Sequence, residues 1–374
     1  MKHRTLVLLA SVAVATGLAA CGSGDGTGGA DTSKDVILYP DNQGSDQPLG
    51  DINIPENAPF DPGTPDPGTD VPVVSDATDV FDPDMPDIPG KDTGPADPKC
   101  QALAAGTVTG FDVDGVARTF MLHLPGGAET GGPWPVVFNW HGFGDTAANM
   151  AWLLSNQVGN QTYPFILVTP EDTNIQPPGG MDWDILTIAE PNKEVRLFDE
   201  VLKCIDQKYG VDWSGIHAVG FSAGSIMADL LGVLRGDMIA SIATYSGVYF
   251  SNPPNVEALG MLAGFVSWPE MTTTNTYAQL LVHGSANDNY NMMVTTLQFD
   301  LSGKNDVAWL NGRGHDVIHC DHGLGHTIPS AFNDGGGKLL SFFERHKLGV
   351  TESPWVAGGL PAGYPDYCAV KAGQ

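Results

Sequence analysis

From about residue 118 to the C-terminus, apolar residues gather into short runs separated by polar, glycine-rich turns. Residues 118–125, RTFMLHLP, alternate as a half-buried strand does. Residues 135–140, 165–169, 216–220, 239–245 and 279–283 are apolar with little interruption, the pattern of strands covered on both faces. Helical spacing occupies 146–157, 192–208, 225–234, 293–310 and 337–347. A crossover follows each of the first four strands, which predicts a mostly parallel central sheet covered by helices on both faces. No internal repeat is visible, and residues 100–374 suffice for one single-core domain.

The first quarter of the chain has no such pattern. Residues 22–99 hold 13 of the 28 prolines and include DPGTPDPGTD at 61–70. Such a stretch cannot bury enough surface to offset its chain entropy. Residues 21–99, with 17 Asp/Glu against three Lys, are therefore expected to be an extended acidic tether. Their aspartates lack calcium-loop spacing. The remainder is also net acidic in a chain of net charge −27, which argues against nucleic acid or an anionic membrane surface as partner.

At the start, Lys2, His3 and Arg4 precede an apolar run over 5–18 that is short for a membrane span. Leu18-Ala19-Ala20-Cys21 resembles a bacterial lipobox. A lipoprotein signal peptide over 1–20 is expected, with cleavage before Cys21 and lipidation of its sulfur. That would place the protein outside the cytoplasm, anchored at the outer membrane or cell surface, or otherwise secreted. Gly22 and Ser23 follow the cysteine, not the aspartate that retains lipoproteins at an inner membrane. Cys100, Cys204, Cys320 and Cys368 are then an even set in an oxidising compartment, and predict two disulfides in one of three pairings. Cys100 and Cys368 bracket the domain, so at least one bridge should tie an end to the body.

Candidate chemistry begins at residues 218–227, AVGFSAGSIM, which set Ser222 between Gly220 and Gly224. Alone, this pentapeptide spacing is weak in a chain with 47 glycines. Its context strengthens it: an apolar strand precedes and a helical stretch follows, the strand–turn–helix of a nucleophile elbow. Glycines are needed there because side chains at 220 and 224 would strike neighbouring backbone. The helix start also directs backbone amides, that of Ala223 above all, toward developing negative charge. Residues 281–288, LVHGSAND, end a strand in a polar loop and offer Asp288 as an acid; Asp316, Asp321 and Asp334 are alternatives. Residues 320–329, CDHGLGHTIP, form a glycine-rich loop that can carry His326 as the base. His326 would take the serine proton, and Asp288 would orient the imidazole and stabilise its cation.

Competing readings exist for the neighbours. His141 and His283 each precede a glycine at a strand end, where loop formation is their expected role. His319, His322 and His326 have H-x2-H-x3-H spacing, yet no HExxH or CxxC accompanies them, so no metal is expected. Trp183, in a glycine- and proline-rich stretch, could stack on a sugar or aryl group or pack in the core.

In this order, RTFMLHLP, NWHGFGDTAANM, GFSAGS, LVHGSANDNY and GHTIP resemble the secreted esterase group of polyhydroxybutyrate depolymerases, feruloyl esterases and acetylxylan esterases, over about residues 105–347. The resemblance implies an α/β-hydrolase fold, no cofactor, and a second oxyanion donor at the backbone amide of Phe143 in the His141–Gly144 loop. Many members place the acid four residues after the histidine of the second His-Gly pair, which is Asn287 here; Asp288 is one residue later. The expectation is thus an extracytoplasmic serine esterase acting on feruloyl, acetyl-polysaccharide or short hydroxyalkanoate esters. A non-catalytic binding protein on the same fold and a serine peptidase are the alternatives.

Overall fold

The computed structural model describes residues 95–173, 182–185, 192–248, 270–291 and 296–374. The expected signal peptide, Cys21 and most of the expected tether lie outside the described residues. In chain order the strands are β1 (Gly106–Val113), β2 (Val116–His123), β3 (Trp134–Trp140), β4 (Ile166–Pro170), β5 (Val211–Phe221), β6 (Ser241–Tyr245), β7 (Ala278–His283), β8 (Asn289–Asn291), β9 (Thr296–Gln298), β10 (Val317–Asp321) and β11 (Cys368–Lys371). The helices are α1 (Pro98–Gln101), α2 (Ala147–Met150), α3 (Lys193–Tyr209), α4 (Ala223–Arg235), α5 (Phe299–Asn311), α6 (Gly337–Arg345) and α7 (Pro354–Gly358).

Nine strands form one sheet in the order β1-β2-β4-β3-β5-β6-β7-β10-β11, and β8 and β9 form a separate hairpin. From β4 through β10 every neighbouring pair is parallel, while β1, β2 and β11 join antiparallel at the edges. This is the expected mostly parallel sheet, and burial explains its sequence signature. Every residue of β4, β6 and β7 is buried, so both faces of each strand had to be apolar or internally satisfied.

One face packs on α3 and α4 through Phe138, Phe198, Val201, Ile226 and Leu230. The other packs on α6 and the segment after α2 through Val137, Leu167, Leu339, Phe342 and Phe343. Asn192 caps α3 by accepting the Glu194 and Val195 amides at 3.0 and 3.1 Å, and Gly210, with φ 79°, ends it. Arg118 of β2 and Glu194 of α3 are buried against each other, with Nη2 and Oε2 2.5 Å apart.

Several element boundaries depart from expectation for physical reasons. β1 was not anticipated because its outer residues are exposed and only Phe111 and Val113 turn inward. β11, four residues at the opposite edge, is held by its ladder to β10. The expected helix over 146–157 is α2 followed by 3-10 turns at 151–153 and 155–157. The one expected over 293–310 begins at Phe299, after β9 has paired with β8.

Two disulfides are present. Cys100–Cys204 ties α1 to α3, and Cys320–Cys368 joins β10 to β11 at a register pair. Each fastens one end of the folded chain to the body. No helix among the described residues is long and apolar enough to cross a membrane.

Candidate active site

Register brings the functional loops to one edge of the sheet. Trp140 pairs with Gly220, Phe221 with Tyr245, Tyr245 with Val282, and His283 with Asp321. The parallel strands therefore end together, and the loops after β3, β5, β7 and β10 leave from that common edge. In open α/β sheets this is where ligands are bound.

Ser222 forms the sharp turn from β5 into α4. Its φ of 54° and ψ of −121° are a strained conformation for a residue with a side chain. The turn is held by neighbours that tolerate no Cβ. At Gly220 a Cβ would overlap the Gly224 carbonyl; at Gly224 it would overlap those of Trp140 and His141; at Gly247 it would overlap that of Ser222. The Ser222 amide donates to the Tyr245 carbonyl at 2.9 Å. Ser222 is 7 % exposed.

His326 reaches the serine from the loop after β10. Ser222 Oγ–H donates to His326 Nε2 at 2.9 Å, and His326 Nδ1–H donates to Asp288 Oδ1 at 2.8 Å. Asp288 is fully buried, and its second oxygen accepts the Gly284 amide at 2.8 Å. Both carboxylate oxygens are thus satisfied without a cation. The 3-10 turn over Ser285–Asn287 returns the chain so that residue 288 lies beside the ring. The His326 imidazole is stacked on Phe299, with centroids 4.8 Å apart and planes at 17°, and lies 5.0 Å from the ring of Phe221.

The alternative acids sit elsewhere. Asp316 accepts the Ser353 and Gly373 amides, Asp334 pairs with Lys338, and Asp321 accepts from Ser285. None is bonded to His326.

Ala223 is the first residue of α4, so its amide has no helical partner one turn back. Phe143 lies in the loop after β3, which packs against the start of α4 closely enough that only glycine fits at 224. That loop is fixed by two carboxylates that no motif in the sequence announces. Asp182 accepts the Gly144 amide at 2.6 Å, and Glu171 accepts the Ala147 amide at 3.0 Å.

Trp183 also holds this loop, which corrects the stacking role considered for it. Its Nε1–H donates to the His141 carbonyl at 2.8 Å, and the ring is fully buried edge-on to Trp140. An indole N–H inside a core needs an acceptor, and the His141 carbonyl supplies it.

His141 is buried in the loop, as its loop-forming role required. The three histidines with metal-like spacing diverge: His319 meets His283 at 2.8 Å, His322 accepts the Leu324 amide, and His326 meets Ser222. Among the described residues no group of three or more His, Cys, Asp or Glu is disposed to hold a metal ion.

Exposed apolar side chains flank the site among the described residues. Phe143 and Tyr290 are 42 % and 38 % exposed, their rings 6.2 Å apart, and Tyr290 is 6.4 Å from the His326 ring. Leu324, two residues before His326, is exposed as well.

Sheet order, crossovers and the placement of these loops define an α/β-hydrolase fold. Solved structures with this fold include one titled "Crystal Structure of pOPH Native", 17% identical, with a TM-score of 0.55 over 72% of this chain and 95% of that one. A second, "Crystal Structure of sOPH Native", is 18% identical, with a TM-score of 0.53 over 73% and 95%. Among curated proteins, feruloyl esterase D of Neurospora crassa is 23% identical over 161 residues, 41% of this chain. That match spans about half, 53%, of the relative's length. No protein-family profile matches the chain.

Proposed function

We propose that this chain is a serine esterase that hydrolyses carboxylic esters through an acyl-enzyme. The observation that carries the reading is the continuous run Ser222 Oγ to His326 Nε2 to Asp288, at 2.9 and 2.8 Å, starting from a strained turn. In this reading His326 removes the Ser222 proton as Oγ bonds to the ester carbonyl carbon. The carbonyl oxygen becomes an oxyanion and accepts hydrogen bonds from the Ala223 and Phe143 amides. Collapse breaks the bond to the alcohol, which leaves with the proton from His326. Water then attacks the acyl-enzyme, giving its proton to His326, and Ser222 departs with that proton. Buried Asp288 stabilises the imidazolium in both steps.

The Phe143–Tyr290 pair at the mouth favours an ester with an aromatic or extended apolar acyl part, of which feruloyl esters are an example and simple acetyl esters are not. The likeness to feruloyl esterase D points the same way. Work outside the cytoplasm agrees with the two disulfides and with the signal-like segment ending at Cys21. Lipidation at Cys21 would hold the enzyme at a membrane while residues 21–99 let it reach bulky polysaccharide- or polyester-linked esters.

The test is hydrolysis of p-nitrophenyl acetate, p-nitrophenyl butyrate and methyl ferulate by the full chain and by Ser222→Ala. Turnover lost in a variant with an unchanged melting curve supports the nucleophile. Equal turnover in both, or none in the wild type, sinks the esterase reading. A preference for acetate over ferulate would sink the aromatic assignment alone.

A further inference from the structure

The acid loop after β7 and the base loop after β10, with the strand ends they leave from, are fastened to each other at four points. The His322 amide donates to the His283 carbonyl, and the Gly325 amide to the Gly284 carbonyl, both at 3.0 Å. Ser285 Oγ–H donates to Asp321 Oδ1. His283 Nε2 meets His319 Nε2 at 2.8 Å. Ser285 stands at the junction in the left-handed region, with φ 61°, which residues other than glycine rarely adopt. Its carbonyl accepts the Asp288 amide at 2.8 Å. One residue therefore connects Asp321, at the end of β10, to Asp288 of the acid loop.

The donors determine the tautomers. The Ser285 amide donates to His283 Nδ1 at 3.4 Å, so that nitrogen bears a lone pair and the His283 proton is on Nε2. His283 then donates to Nε2 of His319, whose own proton is on Nδ1. A single proton lies between the two rings. A second one, on His319 Nε2, would set two N–H groups head to head. Shifting the His283 proton to Nδ1 would relieve that clash but oppose the Ser285 amide. Either way a fastening breaks.

We propose that Asp321 and the His283–His319 pair are positioning residues for catalysis, locking the acid loop to the base loop, and that a second proton entering the pair releases the lock. This rests on reading Ser222, His326 and Asp288 as the catalytic set. The charged and titratable groups facing the pair are Asp321, 3.7 Å from His283 Nδ1, Lys304, 3.8 Å from Asp321, and beyond them Asp288, Asp300, His322 and Lys371. Burial first, and then the neighbouring His283, push His319 down to about 4, with Asp321 opposing them. Burial likewise lowers His283, against the pull of Asp321.

Because the folded value lies below the ordinary one, the unfolded chain binds a proton that the folded pair refuses between about 6.5 and about 4. The pair's contribution to stability is full above about 6.5 and falls as pH drops to about 4, where the folded pair takes the second proton and the lock opens.

Three variants of the full chain test this with p-nitrophenyl butyrate. Asp321→Ala should lower kcat about tenfold with KM nearly constant, because the acid–base pair shifts while the ester's contacts remain. Asp321→Asn should recover most of the loss, since its amide oxygen still accepts the Ser285 hydroxyl. His319→Gln keeps an acceptor for His283 but does not titrate. The acid limb of log kcat should steepen toward two protons in the wild type and remain at one proton in His319→Gln. Identical limbs, a loss in KM alone, or no rescue by asparagine would overturn the proposal.

Melting curves between pH 7 and 4 give a readout independent of turnover. The wild type should lose stability more steeply than His319→Gln. Equal slopes overturn the proton-operated lock even if the esterase reading holds; unequal slopes uphold the lock, and its role in positioning falls if the wild type hydrolyses no ester.

Discussion

Replacing Gly224 by alanine tests the oxyanion arrangement without touching a reacting side chain. The new Cβ would sit inside contact distance of the Trp140 and His141 carbonyl oxygens, both backbone atoms that cannot rotate away. Restoring ordinary contact requires the first turn of α4 and the end of β3 to separate by roughly 1 Å, a shift that costs about 10²-fold when it misplaces a catalytic group. Those two segments carry the Ala223 and Phe143 amides. Loss of one oxyanion donor lowers kcat by about 10²–10³, or about 3–4 kcal/mol of barrier. Gly224→Ala should therefore lower kcat about 10²–10³-fold with KM little changed, while overpacking removes about 1–3 kcal/mol of stability.

Gly232→Ala, more than two turns along the same helix, is the matched control. Its Cβ meets the Tyr277 side chain and Ile242 Cδ1, side-chain atoms far from the serine. It should lose similar stability, about 1–3 kcal/mol, and keep its kcat within about threefold. The pair is compared by steady-state kinetics on p-nitrophenyl butyrate and by urea unfolding. If Gly224→Ala retains more than a tenth of the wild-type kcat, or if Gly232→Ala falls as far, the two amides are not the oxyanion donors.

Other substitutions probe the remaining parts. Asp288→Asn should lower kcat by about 10³–10⁴ with the fold intact, because an amide beside His326 Nδ1 favours the wrong tautomer; a loss under tenfold would remove Asp288 from the acid role. Arg118→Ala leaves the Glu194 carboxyl, which burial already pushes above its usual range against the pull of Arg118, without its cation. Urea unfolding should show a loss of about 3–5 kcal/mol, and a change below 1 kcal/mol would mean that the carboxyl is neutralised in some other way. Cys368→Ser opens a bridge closing 48 residues, worth up to about 4 kcal/mol on loop entropy, so the melting temperature should fall clearly in oxidised protein and hardly in reduced protein.

What the sequence disclosed followed from constraints that act locally. Buried parallel strands must be apolar on both faces, so β3 to β7 stood out as runs, whereas β1 and β11, on the edges, lack that demand. A turn as tight as the one at Ser222 admits only glycine at fixed offsets, so it was visible in one line of text. Ser222, Asp288 and His326 could be nominated by order and loop context, but their spacing in sequence did not separate Asp288 from Asp316, Asp321 or Asp334. Only the register of β7 against β10 decides which carboxylate lies beside the imidazole. Disulfide pairing depended on long-range geometry in the same way. Trp183 was ambiguous because the acceptor that draws its indole inward is a backbone carbonyl 42 residues away, which no side-chain pattern announces.

The two bridges divide the chain where the chemistry divides it. Cys100–Cys204 lies wholly before β6, in the portion that supplies Ser222 and the Ala223 and Phe143 amides; Cys320–Cys368 lies wholly after β7, in the portion that supplies Asp288 and His326. Neither crosses the boundary. In the proposed reading one portion would hold the nucleophile and the other the proton relay, each with its own covalent staple; in the sheet they meet along the β6–β7 ladder, and α6 of the second portion packs on β3 and β4 of the first. In the proposed reading hydrolysis would report on how well that seam is closed, since the Ser222 hydroxyl and His326 come from opposite sides of it.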